Sequence, residues 1–452
     1  MTKAYSISND FPTATTAEGY DQWRALVDKL LAGERYGDKL CQKSEDGFLI
    51  DPAPKPAAKN TPHQKQSGDC LLTAFVETSS VDEANRELLS DLVGGAVAVH
   101  ITLDMFGKRG RGVVINSADD FAKLLDGIYL EFIPISIDAG QAYTQATEML
   151  MNEYQSRDID PQKAVAHLNI PVTKNDVGLG HLISSVSVNL PNVTCVGVDG
   201  ASAHNAGASV AQELGFMLAS GVAALRCLIA SDIAIDVAAK QITFRMALDS
   251  DVFMGMAKIR SLRHMWGEVL KASGAKNTDA IINVQTSKRM MSSVDIETNI
   301  LRTTAASFAG LLGGADGLSV LPYDINATNN KDTSAKDTSA KDTSANATRG
   351  KARRIARNIA VILEEEAMLT RTHDVAAGSY SIEALAEQLS ATAWGLFQQI
   401  EQAGGIEAAL ENGMIVKWFG QMAIKRQAEI AAGDITIVGV NEFLNPEEGN
   451  AS

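Results

Sequence analysis

Eight short β-type runs, each followed by a stretch of helical period, constrain this chain more than any other feature. They read LLTAFVET (71–78), AVAVHITLD (96–104), IYLEFIPISID (128–138), AVAHLNIPV (164–172), VTCVGVDG (193–200), ITFRMALD (242–249), AIINVQTS (280–287) and GLSVLPYD (317–324). Alternation of this kind makes parallel strands joined by crossover helices, since each helix carries the chain back to the same end of the sheet. Several runs are apolar at consecutive positions, the pattern of strands covered by helices. Eight is also the number of units that closes a (β/α)8 barrel. The sequence therefore predicts an α/β fold of the TIM-barrel type over 71–435. An N-terminal helical and extended arm with a linker (1–70) precedes it, a helical C-terminal extension follows the strands, and a tail (436–452) ends the chain.

In GYDQWRALVDKLLAGER (18–34), Trp23, Leu26, Val27, Leu30 and Leu31 fall at i, i+3, i+4, i+7 and i+8. That is a narrow apolar stripe on a helix, which needs a surface to pack on. The Pro- and Lys-rich DPAPKPAAKNTPHQKQSGD (51–69) has no periodicity and reads as an extended linker. A long helix is expected after VDGASAHNAGAS, with Val210, Leu214, Met217, Leu218, Leu225 and Leu228 on one face. Its N-cap is either Ser209, in a capping box with Gln212, or Asn205. KDTSAKDTSAKDTSA (331–345) has no large apolar side chain to offset the entropy of ordering, so a disordered insertion is expected over 328–350.

Composition narrows the function classes. With 45% apolar and 21% charged residues the chain buries a substantial core, and a net charge of −15 opposes a nucleic-acid footprint. The basic patches KRGR (108–111) and KARRIAR (351–357) read first as solvated helix ends, with room for a phosphorylated ligand. Four widely spaced cysteines, Cys41, Cys70, Cys195 and Cys227, suggest neither disulfides nor a metal knuckle. The N-terminus has no long apolar core, and no membrane span is expected. The expectation is a cytoplasmic protein with no metal and no nucleic-acid or membrane partner.

Three segments carry side chains able to do chemistry. His204 and Asn205 sit at a strand-to-helix turn beside free backbone amides, where His204 suits acid–base work and Asn205 a cap. Lys258, Arg260 and Arg263 lie on a helix after a strand, where arginines bind phosphate or carboxylate or make surface ion pairs. Asn283, Gln285 and Thr286 end a strand, the place where barrel strands meet ligands.

Taken together, YDQWRALVDKLLAGERYGDKLCQKSEDGFLIDP, HNAGASVAQELGFMLASG, DVFMGMAKIRSLRHMW, ETNILRTTAASFAGLLGGADGLSVLPYD, RIARNIAVILEEEAMLTRTHDVAAGSYSIEALAEQLSATAWGLFQQIEQAGG and GDITIVGVNEF resemble the barrel of the methylmalonyl-CoA mutase family over most of the chain. The resemblance implies a cobalamin-dependent rearrangement between methylmalonyl-CoA and succinyl-CoA, in a barrel that CoA threads along its axis. It also implies a separate cobalamin domain carrying an Asp-x-His-x-x-Gly motif, and none of the seven histidines here stands in one.

Active members of the family carry a Tyr-His pair where this chain has Ala201 and Ser202, and His204 does not restore it by register. The family's Arg-Gln-Tyr-Ala-Gly corresponds to LLTAFVETS, the His of its His-Thr-Gln-Thr to Asn283, and its Gln-Gln-Pro to Val294, Asp295 and Ile296. These departures resemble the small, β-type subunit of a heterodimeric mutase of propionate metabolism. That subunit is non-catalytic and supports a catalytic large subunit, which the arm (1–70) would wrap. Adenosylcobalamin is then expected on the partner, with none on this chain. Acyl-CoA is a candidate ligand through Arg260, Arg263, Gln285, Thr286, His204 and Asn205. Two alternatives stand beside this: the substrate barrel of a split cobalamin-dependent acyl-CoA mutase, and a CoA-thioester binding protein.

Overall fold

The computed structural model describes residues 17–55, 70–171, 177–327 and 341–445. Every predicted run forms a strand: β1 (Leu71–Val76), β2 (Ala98–Met105), β3 (Ile135–Asp138), β4 (Ala166–Ile170), β5 (Val193–Asp199), β6 (Ile242–Leu248), β7 (Ile281–Thr286) and β8 (Gly317–Ser319). Each pairs in parallel with its neighbour in sequence, and β1 pairs with both β2 and β8, so the sheet closes into a barrel. The ladder is short at β1–β8. There only Leu71 and Leu72 stand opposite Gly317 and Leu318, whereas the β6–β7 ladder runs from Thr243–Ile281 to Leu248–Thr286.

The helices that frame the barrel and its outer wall are α1 (Ala17–Leu30), α2 (Val81–Val93), α3 (Gly200–Asn205), α4 (Val210–Ala230), α5 (Val252–Ala272), α6 (Lys341–Val361), α7 (Tyr380–Gln402) and α8 (Met414–Ala432). Strand alternation sends successive side chains to opposite faces. On β6, Phe244 points outward and meets Trp266 of α5 edge to face, with ring centroids 5.0 Å apart, while Arg245 points into the lumen. Gly221 of α4 makes room for both rings, since a Cβ there would stand 2.9 Å from Trp266.

Ser209 is the cap of α4. Its hydroxyl accepts from the Gln212 amide and the Gln212 side chain accepts from the Ser209 amide, while Asn205 ends α3. Gly207 turns the chain between the two helices at φ +112°, with Phe419 of α8 so close that a Cβ would lie 2.7 Å from its carbonyl oxygen. By length and composition α4 is apolar enough to cross a membrane. Its burial accounts for that apolarity: it is sandwiched between the barrel and α7, whose Ala393 and Leu396 abut Gly215. Ser261 of α5 donates to the Ala386 carbonyl of α7 at 2.9 Å, so the C-terminal extension forms a second helical layer.

The described part of the arm is built around Tyr36, with the Arg24 guanidinium 3.3 Å above its ring and its hydroxyl donating to Asp51 at 2.7 Å. The arm is pinned to the barrel by Asp46, which accepts from the Ser209 hydroxyl and from the Ala211 amide at 3.1 Å. Leu26 and Leu30, on the expected apolar stripe, remain 52% and 85% exposed. Of the insertion expected over 328–350, residues 341–350 belong to α6, because the Ala-, Arg- and Lys-rich run that follows propagates a helix backwards, while residues 328–340 lie outside those described.

Candidate functional site

Barrel ligands meet the C-terminal ends of the strands. At that mouth β5 ends on Asp199 and α3 begins on Gly200, with Asp199 capping the helix by accepting from the Ser202 amide at 3.3 Å and from its hydroxyl. Ala201 is buried and Ser202 is tied to Asp199, so this turn presents no aromatic hydroxyl and no imidazole to the axis.

Inside the barrel the polar residues form one connected network. Arg245 donates to Asp199 through Nε (3.1 Å) and Nη2 (2.8 Å), and through Nη1 to His100 Nε2 (2.9 Å). Because His100 Nε2 accepts, its Nδ1 carries the proton and donates to Ser136 Oγ at 2.9 Å, which also accepts from Asn169 at 2.8 Å. The network spans β6, β5, β2, β3 and β4 and crosses the axis. Burial, seconded by the Arg245 charge, pushes His100 down to about 3, so it is a neutral acceptor. Burial opposes the charge of Asp199, but Arg245 and the hydrogen bonds from Ser202 outweigh it and hold the carboxyl below its usual range. A second mouth carboxylate, Asp138, is paired with Arg109 at 3.1 Å.

Only a narrow space of about 30 Å³ is left in the lumen, lined by His100, Ser136, His167, Arg245, Asn283 and Gln285 among others. Most of its wall comes from the strands' N-terminal halves. Of the residues singled out from sequence, the lumen receives Asn283 and Gln285. Thr286 faces away, its hydroxyl accepting from the Leu321 amide at 2.8 Å. Asn205 lies exposed at the end of α3.

The expected CoA contacts of the helix arginines are not what the geometry provides. Arg260 is 2% exposed and clamps Asp374 and Glu383 of the C-terminal layer. Arg263 binds Asp279 at 2.8 Å and Asp316 at 2.9 Å beside the N-terminal ends of β7 and β8. Both tie the barrel's outside together, because a helix packed on two layers turns its long cations toward the acids at their edges.

His204 is likewise removed from the lumen. Its Nδ1 lies 3.2 Å from Glu213 and its Nε2 2.7 Å from the Ser287 hydroxyl, while Lys258 donates to Glu213 at 2.5 Å and to the Ala247 carbonyl at 2.6 Å. By residue type Ser287, His204 and Glu213 form a hydrolase-like relay. With exposures of 0%, 1% and 0% none of them meets a substrate, and the Ser287 oxygen also accepts from the Met290 amide. Burial lowers the His204 pKa despite Glu213. Glu213 stays ionised because Lys258 and His204 outweigh its burial.

The model of the methylmalonyl-CoA mutase family matches residues 73–452. The chain belongs to that family. It is 29% identical to the methylmalonyl-CoA mutase small subunit of Streptomyces virginiae over 471 residues, covering 97% of this chain and 72% of that protein. It is 32% identical over 393 residues to the probable methylmalonyl-CoA mutase small subunit of Mycobacterium tuberculosis, covering 84% of this chain and 60% of that one. Against the methylmalonyl-CoA mutase of Escherichia coli K12 it is 25% identical over 472 residues, covering 93% of this chain and 64% of that one. Within the family the chain is of the small-subunit type.

Among these mutase-type barrels, the lumen ion pair was the feature left unread in the sequence. Its signal was present: Arg245 interrupts the apolar ITFRMAL, and His100 interrupts AVAVHITL, at positions whose alternation faces the axis. At the mouth, His204 has both ring nitrogens taken, by Glu213 and by the Ser287 hydroxyl, so neither is open to a cofactor.

Proposed function

We propose that the chain is the small subunit of a heterodimeric cytoplasmic mutase interconverting methylmalonyl-CoA and succinyl-CoA, and that it supports a catalytic large subunit without turning over substrate. The partner, in this reading, binds adenosylcobalamin, whose homolysis supplies the radical. The carrying observation is the Arg245–Asp199–His100 layer across the axis. A substrate barrel needs free polar groups aimed at the reacting atoms, and here each of these groups is already satisfied by another. The open stripe of Leu26 and Leu30 on α1 supports an arm that packs on a partner. The test is co-expression with a large mutase subunit. The expected result is a stoichiometric complex, activity that survives Ser202→Ala and Arg245→Lys in this chain, and no turnover by this chain alone with cofactor and thioester. Turnover by the isolated chain, or a large subunit equally soluble and active alone, refutes the proposal.

A further inference from the structure

The α2–α6 groove on the outer wall carries more positive charge than its structural task uses. Arg349, Arg353 and Arg357 recur every four residues on α6 and interleave with Glu83, Glu87 and Asp91 at the same spacing on α2. Arg349 Nε lies 2.9 Å from Glu87, Arg353 Nη1 lies 3.3 Å from it, and Arg357 Nη1 lies 3.4 Å from Asp91. Arg353 also pairs with Asp91 and donates to the Phe75 carbonyl at 2.9 Å. This zipper joins the helices after the first and last strands, where the sheet ladder is short.

The same groove, open to solvent, has a volume of about 380 Å³, and Arg86 and Arg354 also line it. Both are exposed, and neither makes an ion pair among the described residues. Five guanidinia and three carboxylates leave a surplus of two positive charges, on a chain whose net charge is −15. Arg349, at 41% exposure, has donors left over, and Arg357 Nε is buried with no hydrogen-bond partner. An isolated cationic surplus on an acidic surface focuses potential at one spot, the guanidinium fork matches phosphate oxygens in pairs, and the volume suits a small ligand.

We propose that this groove binds a compact oligophosphate, a ligand with two or more phosphate charges, cradled by Arg86, Arg354 and the free donors of Arg349. Compactness decides between anions. A ligand that concentrates its charge answers a local surplus of two, whereas an extended acidic segment would spread its charge over a chain whose net charge is −15. The site is separate from the lumen and independent of the proposed subunit role.

The test is calorimetric titration of the full chain with inorganic tripolyphosphate, pyrophosphate and sulfate, at about 0.1 M salt to screen diffuse attraction. Saturable binding is expected, tightest for tripolyphosphate. The Arg86→Gln/Arg354→Gln variant, which spares the zipper, should melt like the wild type and bind about tenfold or more weakly, a loss of about 1.4 kcal/mol or more. Lys271→Gln, an exposed charge outside the groove, should bind as the wild type does. Absence of saturable binding overturns the proposal, as does equal affinity in the double variant. Tighter binding of poly-glutamate than of tripolyphosphate at the same arginines also overturns it and makes the groove a protein-docking surface.

Discussion

Glu213→Gln keeps the size of a side chain at 0% exposure and removes its charge, so it tests how far the interior under the mouth depends on one carboxylate. Glu213 faces the Lys258 ammonium at 2.5 Å and His204 at 3.2 Å, and Lys258 itself is 3% exposed. Without the carboxylate, Lys258 keeps the Ala247 carbonyl at 2.6 Å as its acceptor. Removing one partner of a buried pair costs about 3–5 kcal/mol, because the surviving charge stays desolvated. The paired change Glu213→Leu/Lys258→Met removes both charges together and should cost about 1–2 kcal/mol, mainly through the hydrogen bonds lost at His204 and Ala247. The assay is urea unfolding near neutral pH followed by circular dichroism, comparing midpoints at unchanged slope. A single variant within about 1 kcal/mol of wild type, or a double variant as unstable as the single one, would refute the assignment of stability to this pair.

Three further outcomes follow from the same geometry. Burial drives His167 down to about 4 and His100 to about 3, so each is neutral in the fold and protonates first in the unfolded chain. Their stabilisation is therefore complete above pH about 6.5 and falls toward those values by roughly 1.4 kcal/mol per pH unit each, which urea midpoints between neutral and acid pH will show and His167→Asn should flatten. Gly207→Ala forces a Cβ to 2.7 Å from the Phe419 carbonyl at φ +112° and should lower stability by about 1–3 kcal/mol, read as a drop in melting temperature. Asp46→Ala removes the anchor between the arm and the start of α4, and limited proteolysis should then cut within 17–55 faster while the barrel stays intact.

Much of the fold was legible because it is written in local periods. Each of the eight apolar runs became a strand, and Ser209 with Gln212 closed the capping box their spacing allowed. At the turn after β5, the sequence alone shows that Ala201 and Ser202 carry neither an imidazole nor a phenol. The partners of the helix cations were not legible, because a sequence shows a charge and not its partner. Arg260 meets Asp374 and Glu383 through a layer more than a hundred residues away, and Arg263 meets Asp316.

By itself, then, the sequence determined the class of fold, its number of strands and its family, all of which depend on residue type and on spacing along the chain. Only the tertiary structure decided what fills the space left behind. Arg245 and Asp199 lie 46 residues apart, and His204 and Ser287 lie 83 apart. Such pairs exist because parallel pairing sets Asp199 of β5 beside Arg245 of β6 and packing brings α3 against the end of β7; burial then obliges each polar group to find a partner.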